Sequence, residues 1–212
     1  MGEQGAMAAI AARSPVIPVL TIETIETAVP LAQALVKGGL PVLEITLRTK
    51  AALAAIRAVA AEVPEAVVGA GTVLDPAQLD QVQRAGCHFA VSPGCTEALA
   101  RAARSSGIPF LPGVQTVSEA MTLRELGFGI LKLFPADVAG GVTWIKAVGA
   151  PLSDLRFCPT GGITAETAPA YLALANVACV GGSWVAPRVV VATGDWQSVE
   201  RLAAAAAALK RR

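Results

Sequence analysis

Apolar, β-branched runs recur along the chain at intervals of roughly 20 to 25 residues, each bounded by turn-forming residues, and that rhythm predicts buried strands. They are "PVIPVLTI" (15–22), "PVLEITLR" (41–48), "VVGAGTVL" (67–74), "HFAVSPG" (88–94), "PFLPGVQT" (109–116), "ILKLFPA" (130–136), "RFCPTGGIT" (156–164) and "ACVGGSW" (178–184). Between them the apolar positions take helical spacing, as in "ETIETAVPLAQALVKGG", "KAALAAIRAVAAEV", "DPAQLDQVQRAG", "TEALARAARSSG", "SEAMTLRELG" and "GVTWIKAVG", with "SVERLAAAAAALK" last. Several open on Asp, Thr or Ser, whose side chain can accept from a free N–H of the first turn, and close on Gly, which tolerates a left-handed cap. Strands alternating with helices in eight units predict an α/β fold, a closed (β/α)8 TIM barrel. Residues 1–212 read as one domain, with 1–13 a short N-terminal helix or leader. An open doubly wound sheet is the alternative, but no GxGxxG opens the first helix and the strand count suits closure.

Composition narrows the function classes. The 212 residues are 54% hydrophobic but only 4% aromatic, so Ala and Val fill most of the core. Net charge is +1, and no block of like charges precedes the terminal "KRR", which leaves no basic stripe for nucleic acid. "KRR" itself reads as a solvated end. The four cysteines, Cys87, Cys95, Cys158 and Cys179, form no CxxC pair and read as small buried hydrophobes of a reducing cytoplasm. The single histidine, His88, precedes an apolar run and reads as structural; a multi-histidine metal site is excluded. The stretch from Thr167 to Pro187 carries no formal charge, but Pro169, Asn176 and the Gly181–Gly182 pair break it into two halves, so it reads as core and not as a membrane span.

Two strands carry charge where a core strand should carry none. Alternation along "PVLEITLR" sends Leu43, Ile45 and Leu47 toward the helices and Val42, Glu44, Thr46 and Arg48 toward the lumen. In "ILKLFPA" Leu131 and Leu133 take the helix side, so Ile130, Lys132 and Phe134 share the other face. Lys132 is the one lysine of five in mid-strand; Lys37, Lys50, Lys146 and Lys210 lie in helical segments or at their ends. An amine in an apolar lumen loses hydration, and a nearby guanidinium repels a second positive charge, both favouring the neutral, nucleophilic form; an ionised Glu44 favours the ammonium. Lysine plus carboxylate in a dry pocket suits Schiff-base chemistry on a carbonyl, and a purely structural Lys132–Glu44 ion pair is the alternative. "VGAGTVL" places Thr72 near the end of strand three, on the face shared with Val68 and Ala70, where small residues leave room for a ligand. Paired glycines and hydroxyls in "PTGGIT" and "VGGSW" follow strands seven and eight, where barrel loops cradle phosphate with backbone N–H groups.

Together, "VLEITLRT", "VGAGTVL", "AVSPG", "FLPGVQT", "LKLFPA", "FCPTGGI" and "VGGSW" closely resemble the bacterial 2-keto-3-deoxy-6-phosphogluconate (KDPG) aldolase family, over nearly the whole chain and in order. The resemblance implies a class I, Schiff-base aldolase of the Entner–Doudoroff pathway, whose members often also cleave 4-hydroxy-2-oxoglutarate (KHG). It implies that Lys132 forms the imine, that Glu44 moves protons partly through a water, and that Arg48 and Thr72 bind the pyruvate carboxylate. Pro93 and Phe134 would shape the pyruvyl pocket, Thr160 would lie near the hydroxylated carbons, and Gly161, Gly162, Gly182 and Ser183 would hold phosphate. A cytoplasmic homotrimer needing no metal or organic cofactor is implied, with a phosphorylated keto acid, pyruvate and glyceraldehyde 3-phosphate as its small-molecule partners and neither nucleic acid nor membrane. A sister group acting on the phosphogalactonate epimer lacks the "TLR" arginine and tends to lack the threonine of "PTGG", so Arg48 and Thr160 favour the gluconate. Some members carry a basic residue near the end of strand one, where this chain has "LTIET". A degenerate, non-catalytic phosphate-binding barrel is the remaining alternative.

Overall fold

The computed structural model describes residues 3–211. Its strands are β1 (Val16–Leu20), β2 (Val42–Thr46), β3 (Val67–Gly71), β4 (Phe89–Val91), β5 (Phe110–Leu111, resuming after Pro112 as Gly113–Val114), β6 (Ile130–Leu133), β7 (Arg156–Phe157) and β8 (Val180–Gly182). Proline has no N–H to give to a ladder, and the fifth strand accordingly breaks at Pro112. All pairings are parallel. β8, β1, β2, β3, β4 and the first half of β5 lie side by side, and the second half of β5 pairs with β6, which pairs with β7. Single bridges from Phe157 to Val177 and from Thr160 to Gly181 join β7 and its extension to β8, closing the ring. The expected (β/α)8 barrel is the fold observed.

Side-chain alternation sorts the apolar residues into two layers. Leu43, Ile45, Leu131 and Leu133 pack in the layer between sheet and helices. Ile17, Val42, Val67, Phe89, Ile130 and Cys179 fill the lumen. Helix α1 (Glu3–Ala11) sends Met7 and Ala11 into that inner cluster and so plugs the end of the barrel where the strands begin. The expected N-terminal helix is therefore present; residues 1 and 2 of the 1–13 segment lie outside the described residues. No described helix is long and apolar enough to cross a membrane.

Helix starts follow local chemistry. Asp75 accepts from Gln78 N at 2.8 Å ahead of α4 (Pro76–Arg84). Thr96 accepts from Leu99 N ahead of α5 (Glu97–Ser106), which ends on Gly107 at φ 76°. α6 (Val117–Glu125) carries a capping box in which Thr116 and Glu119 satisfy each other's backbone N–H. Burial alone would raise the Glu119 carboxyl, but the N–H groups of Gln115 and Thr116 outweigh it and hold it below its ordinary value. Helices α2 (Ala28–Lys37), α3 (Ala52–Glu62), α7 (Gly141–Gly149), α8 (Ala168–Leu172), α9 (Arg188–Ala192) and α10 (Trp196–Ala207) complete the outer ring.

Three expectations need correction. The end is exposed at Lys210 and Arg211 as expected, but Arg211 is not loose: its guanidinium donates to the carbonyls of Ala11, Ala12, Ser14 and Ala178, tying the C-terminal segment under the barrel. Arg212 lies outside the described residues. Cys87 and Cys95 are half-buried where the sequence suggested burial, while Cys158 and Cys179 are buried and 3.5 Å apart as thiols. Val68 and Ala70 do not face the lumen with Thr72; they pack in the layer beneath the helices, and the inward positions of β3 are Val67, Gly69 and Gly71. His88 sits just before β4, exposed, with its N–H on Val68 O at 2.8 Å.

Candidate active site

β2 and β6 bring their charged residues together inside the lumen. Lys132 Nζ lies 3.0 Å from Glu44 Oε1, and the residues are only 4% and 3% exposed. Burying both charges is tolerable because each satisfies the other. The ammonium also sits over the Phe134 ring, 5.3 Å from its centroid. A carboxylate at that distance can take a proton from the amine directly, which would leave a nucleophile in a water-poor site.

Room inside the site comes from glycines, of which the sequence reading passed over Gly69 and Gly71. Gly71, the partner of Thr46 in the β2–β3 ladder, lies against the Glu44 side chain, and a Cβ there would overlap the carboxylate. Gly69 makes the same allowance for the Phe89 ring, and Gly181 for the side chain of Thr160. We therefore expect Gly71→Ala to push the Glu44 carboxylate off Lys132. Turnover should fall roughly 10- to 100-fold, because small misplacements of reacting groups carry penalties of that order. Steady-state kinetics checks this, with a urea titration showing about 1 to 3 kcal/mol of overpacking strain.

Above the pair opens a cavity of about 830 Å³, bounded by the strand ends and the loops that follow them. Lys132 and Phe134 form part of its floor, and Arg48 stands on its wall. Arg48 leaves β2 in an exposed turn, with its Nε on Thr72 Oγ1 at 3.3 Å. Thr72 reaches that position through a left-handed backbone, φ 62°, directly after β3 ends. Thr160, Gly161, Gly162, Gly182 and Ser183, from the ends of β7 and β8, also line the cavity. Gly161 and Gly162 take φ of 100° and 76°, values that a side chain would strain. Left-handed turns of this kind leave backbone N–H groups free to face an anion.

Of the residues singled out in the sequence, Pro93 is not brought to this cavity. It is half-buried after β4, its carbonyl packed so closely on Gly113 that a Cβ would not fit. Glu44 and Thr72 are not wall residues either and meet the site through Lys132 and Arg48. Sequence reading missed Ser92, fully buried with its hydroxyl accepting from Gly113 N at 3.3 Å, and the charged pair Glu23 and Arg188 at the cavity mouth. Placement in loops after strand ends is the signal that could have found that pair. The two half-buried cysteines offer no rival nucleophile: burial pushes the Cys87 thiol up to about 12 and Cys95 to about 11, so neither is a thiolate near neutrality. Among the described residues no group of three or more His, Cys, Asp or Glu side chains could hold a metal ion.

Comparison with known proteins adds to this geometry. Residues 7–202 match the family described as KDPG and KHG aldolase. The KHG/KDPG aldolase of Escherichia coli (strain K12) is 53% identical over 176 residues, 83% of this chain and 83% of that protein. The 2-keto-3-deoxy-6-phosphogluconate aldolase of Zymomonas mobilis, solved with 3-phosphoglycerate, matches with a TM-score of 0.93 at 47% identity, covering 97% of this chain and 96% of that one. KDPG aldolase from Legionella pneumophila, with pyruvate captured at low pH as a covalent carbinolamine intermediate, matches with a TM-score of 0.94 at 44% identity, covering 95% of this chain and 98% of that one.

Proposed function

This chain belongs to the KDPG and KHG aldolase family, and from that premise we propose how its own residues perform the reaction. The protein is a class I aldehyde-lyase that reversibly cleaves KDPG to pyruvate and glyceraldehyde 3-phosphate through a Schiff base, and it also acts on 4-hydroxy-2-oxoglutarate. The observation that carries the assignment of roles is the buried Lys132–Glu44 contact of 3.0 Å beneath an open cavity.

Lys132 Nζ, having passed its proton to Glu44, adds to the C2 ketone to give a carbinolamine; Glu44 then returns that proton to the carbinolamine hydroxyl, which leaves as water, giving a protonated imine and restoring the carboxylate. Glu44 then takes the C4 hydroxyl proton, directly or through a water. As the C4 carbonyl forms, the C3–C4 bond breaks and its electron pair moves through C2 to the imine nitrogen. The aldehyde product leaves; Glu44 returns a proton to C3 of the enamine, and water hydrolyses the imine to free pyruvate. Arg48, braced by Thr72, holds the C1 carboxylate and so fixes the ketone over the amine. Thr160 and Phe134 line the path between, and the glycine pair at 161–162 with Gly182 and Ser183 takes the 6-phosphate. Pro93 packs on Gly113, the ladder partner of Lys132, and so backs the strand that carries the amine. The presence of Arg48 and Thr160 favours the gluconate over the galactonate epimer.

The same reading extends to the assembly and its setting. Residues 1–212 form one domain that assembles as a homotrimer. Exposed Val117, Met121 and Val138 give apolar surface for that contact, and light scattering on the purified protein measures its mass. Free thiols at all four cysteines fit the reducing cytoplasm. The phosphate loops favour KDPG over KHG as the main substrate, and the Lys132–Glu44 pair is more than a non-catalytic phosphate-binding barrel would need. A coupled assay of pyruvate release in the presence of EDTA tests the function. We expect turnover with a larger kcat/KM for KDPG than for 4-hydroxy-2-oxoglutarate, and no pyruvate from KDPG would sink the proposal.

A further inference from the structure

Two charged residues of the cavity have no part in the chemistry above. Glu23 lies in the loop after β1, and Arg188 is the first residue of α9, in the segment after β8. They meet across 165 residues of sequence, with Arg188 Nη2 donating to Glu23 Oε1 at 2.7 Å, and both line the cavity. Their side chains are 85% and 57% exposed, so screening leaves the pair little role in holding the barrel together. It does bridge the two loops that border the cavity mouth.

Among the described residues that line the cavity, the cations are Arg48, Lys132 and Arg188. Lys132 is paired with Glu44 at the bottom, and Arg48 belongs to the Thr72 side. The wall of Gly161, Gly162, Gly182 and Ser183 offers N–H groups and a hydroxyl but no positive charge of its own. A phosphate dianion seated there would also face Glu23, the one carboxylate on the cavity lining, without a neighbouring cation to offset it. Arg188 follows Ser183 by five positions, with Ala186 N bonded to Ser183 O at 3.1 Å in the intervening turn. That turn carries the backbone of Arg188 away from Ser183 along the same cavity lining.

We propose that Arg188 is the specificity residue for the substrate's 6-phosphate, held at the mouth by Glu23 in the free enzyme and transferred to the phosphate on binding. The exchange replaces one charge-assisted contact with a stronger one, since a guanidinium matches a phosphate dianion in two-pronged geometry. It rests on the aldolase reading and deepens it by explaining the discrimination between two substrates. KDPG carries its phosphate two carbons beyond C4, whereas 4-hydroxy-2-oxoglutarate ends in a carboxylate attached to C4 itself. Only the phosphorylated substrate extends to the mouth and displaces Glu23.

The test compares kcat/KM for both substrates in the unaltered enzyme, Arg188→Ala and Arg188→Lys. The KDPG-to-KHG ratio should fall about tenfold in Arg188→Ala, carried by KM, with partial recovery in Arg188→Lys. Inorganic phosphate, used as a competitive inhibitor of KHG cleavage, should bind more weakly to Arg188→Ala. It should bind about two- to threefold more tightly to Glu23→Gln, which no longer competes for the guanidinium. A ratio within twofold of the unaltered enzyme, or weaker phosphate inhibition in Glu23→Gln, would overturn the assignment of Arg188 alone. Failure of the unaltered enzyme to cleave KDPG would overturn this assignment together with the aldolase reading.

Discussion

Lys132→Ala is expected to remove aldol cleavage almost completely, by roughly 10⁴- to 10⁶-fold in kcat, because loss of a covalent nucleophile removes the whole route and not one interaction along it. No described residue can substitute: the lumen offers no second lysine, and the half-buried thiols stay protonated. The substitution also leaves the Glu44 carboxylate buried without its partner, at a stability cost of about 3 to 5 kcal/mol if it stays ionised. Lys132→Arg separates the two effects. A guanidinium keeps the charge opposite Glu44 but does not form an imine with a ketone under these conditions. It should lose activity as fully as the alanine variant while keeping more of the thermal midpoint. Pyruvate release and a melting curve measured on both variants check this; retained cleavage in Lys132→Arg would contradict the role given to the amine.

Glu44→Gln should slow turnover by roughly 10²- to 10⁴-fold, the range for loss of a positioned general acid–base. The amide keeps an acceptor for Lys132 near the position of Oε1 and nearly the same volume, so the neighbouring Gly71 still fits. What it loses is the capacity to take the C4 hydroxyl proton and to return one to C3. Exchange of the pyruvate methyl protons with deuterated solvent, followed by NMR, should therefore slow in parallel with cleavage. An exchange rate equal to that of the unaltered enzyme would assign the proton to another group. The expected loss exceeds that of Gly71→Ala, which only displaces the same carboxylate.

Much of the fold and half of the site could be read before any coordinates, and the divide has physical reasons. Period-two alternation holds wherever a strand is regular, and β2 and β6 obey it, so the inward aim of Glu44 and Lys132 was legible from Leu43, Ile45, Leu131 and Leu133 alone. The rule fails one residue past a strand end. Thr72 leaves β3 in a left-handed turn, so alternation assigned it to the face of Val68 and Ala70, the wrong side of the sheet. Space is equally hidden in a sequence. That Gly71 exists to admit a carboxylate and Gly181 to admit Thr160 depends on ladders whose register no local pattern specifies. Contacts between distant loops are the least legible, and the Glu23–Arg188 bridge and the anchoring of Arg211 under helix α1 are both of this kind.

The central claim is that Lys132 carries the covalent intermediate. Incubating the enzyme with pyruvate, reducing with borohydride and mapping the modified peptide by mass spectrometry addresses it directly. The account predicts a single reduced pyruvate adduct on Lys132, absent when pyruvate is withheld and absent from Lys132→Arg. An unmodified Lys132, or an adduct confined to Lys37, Lys50, Lys146 or Lys210, would contradict it.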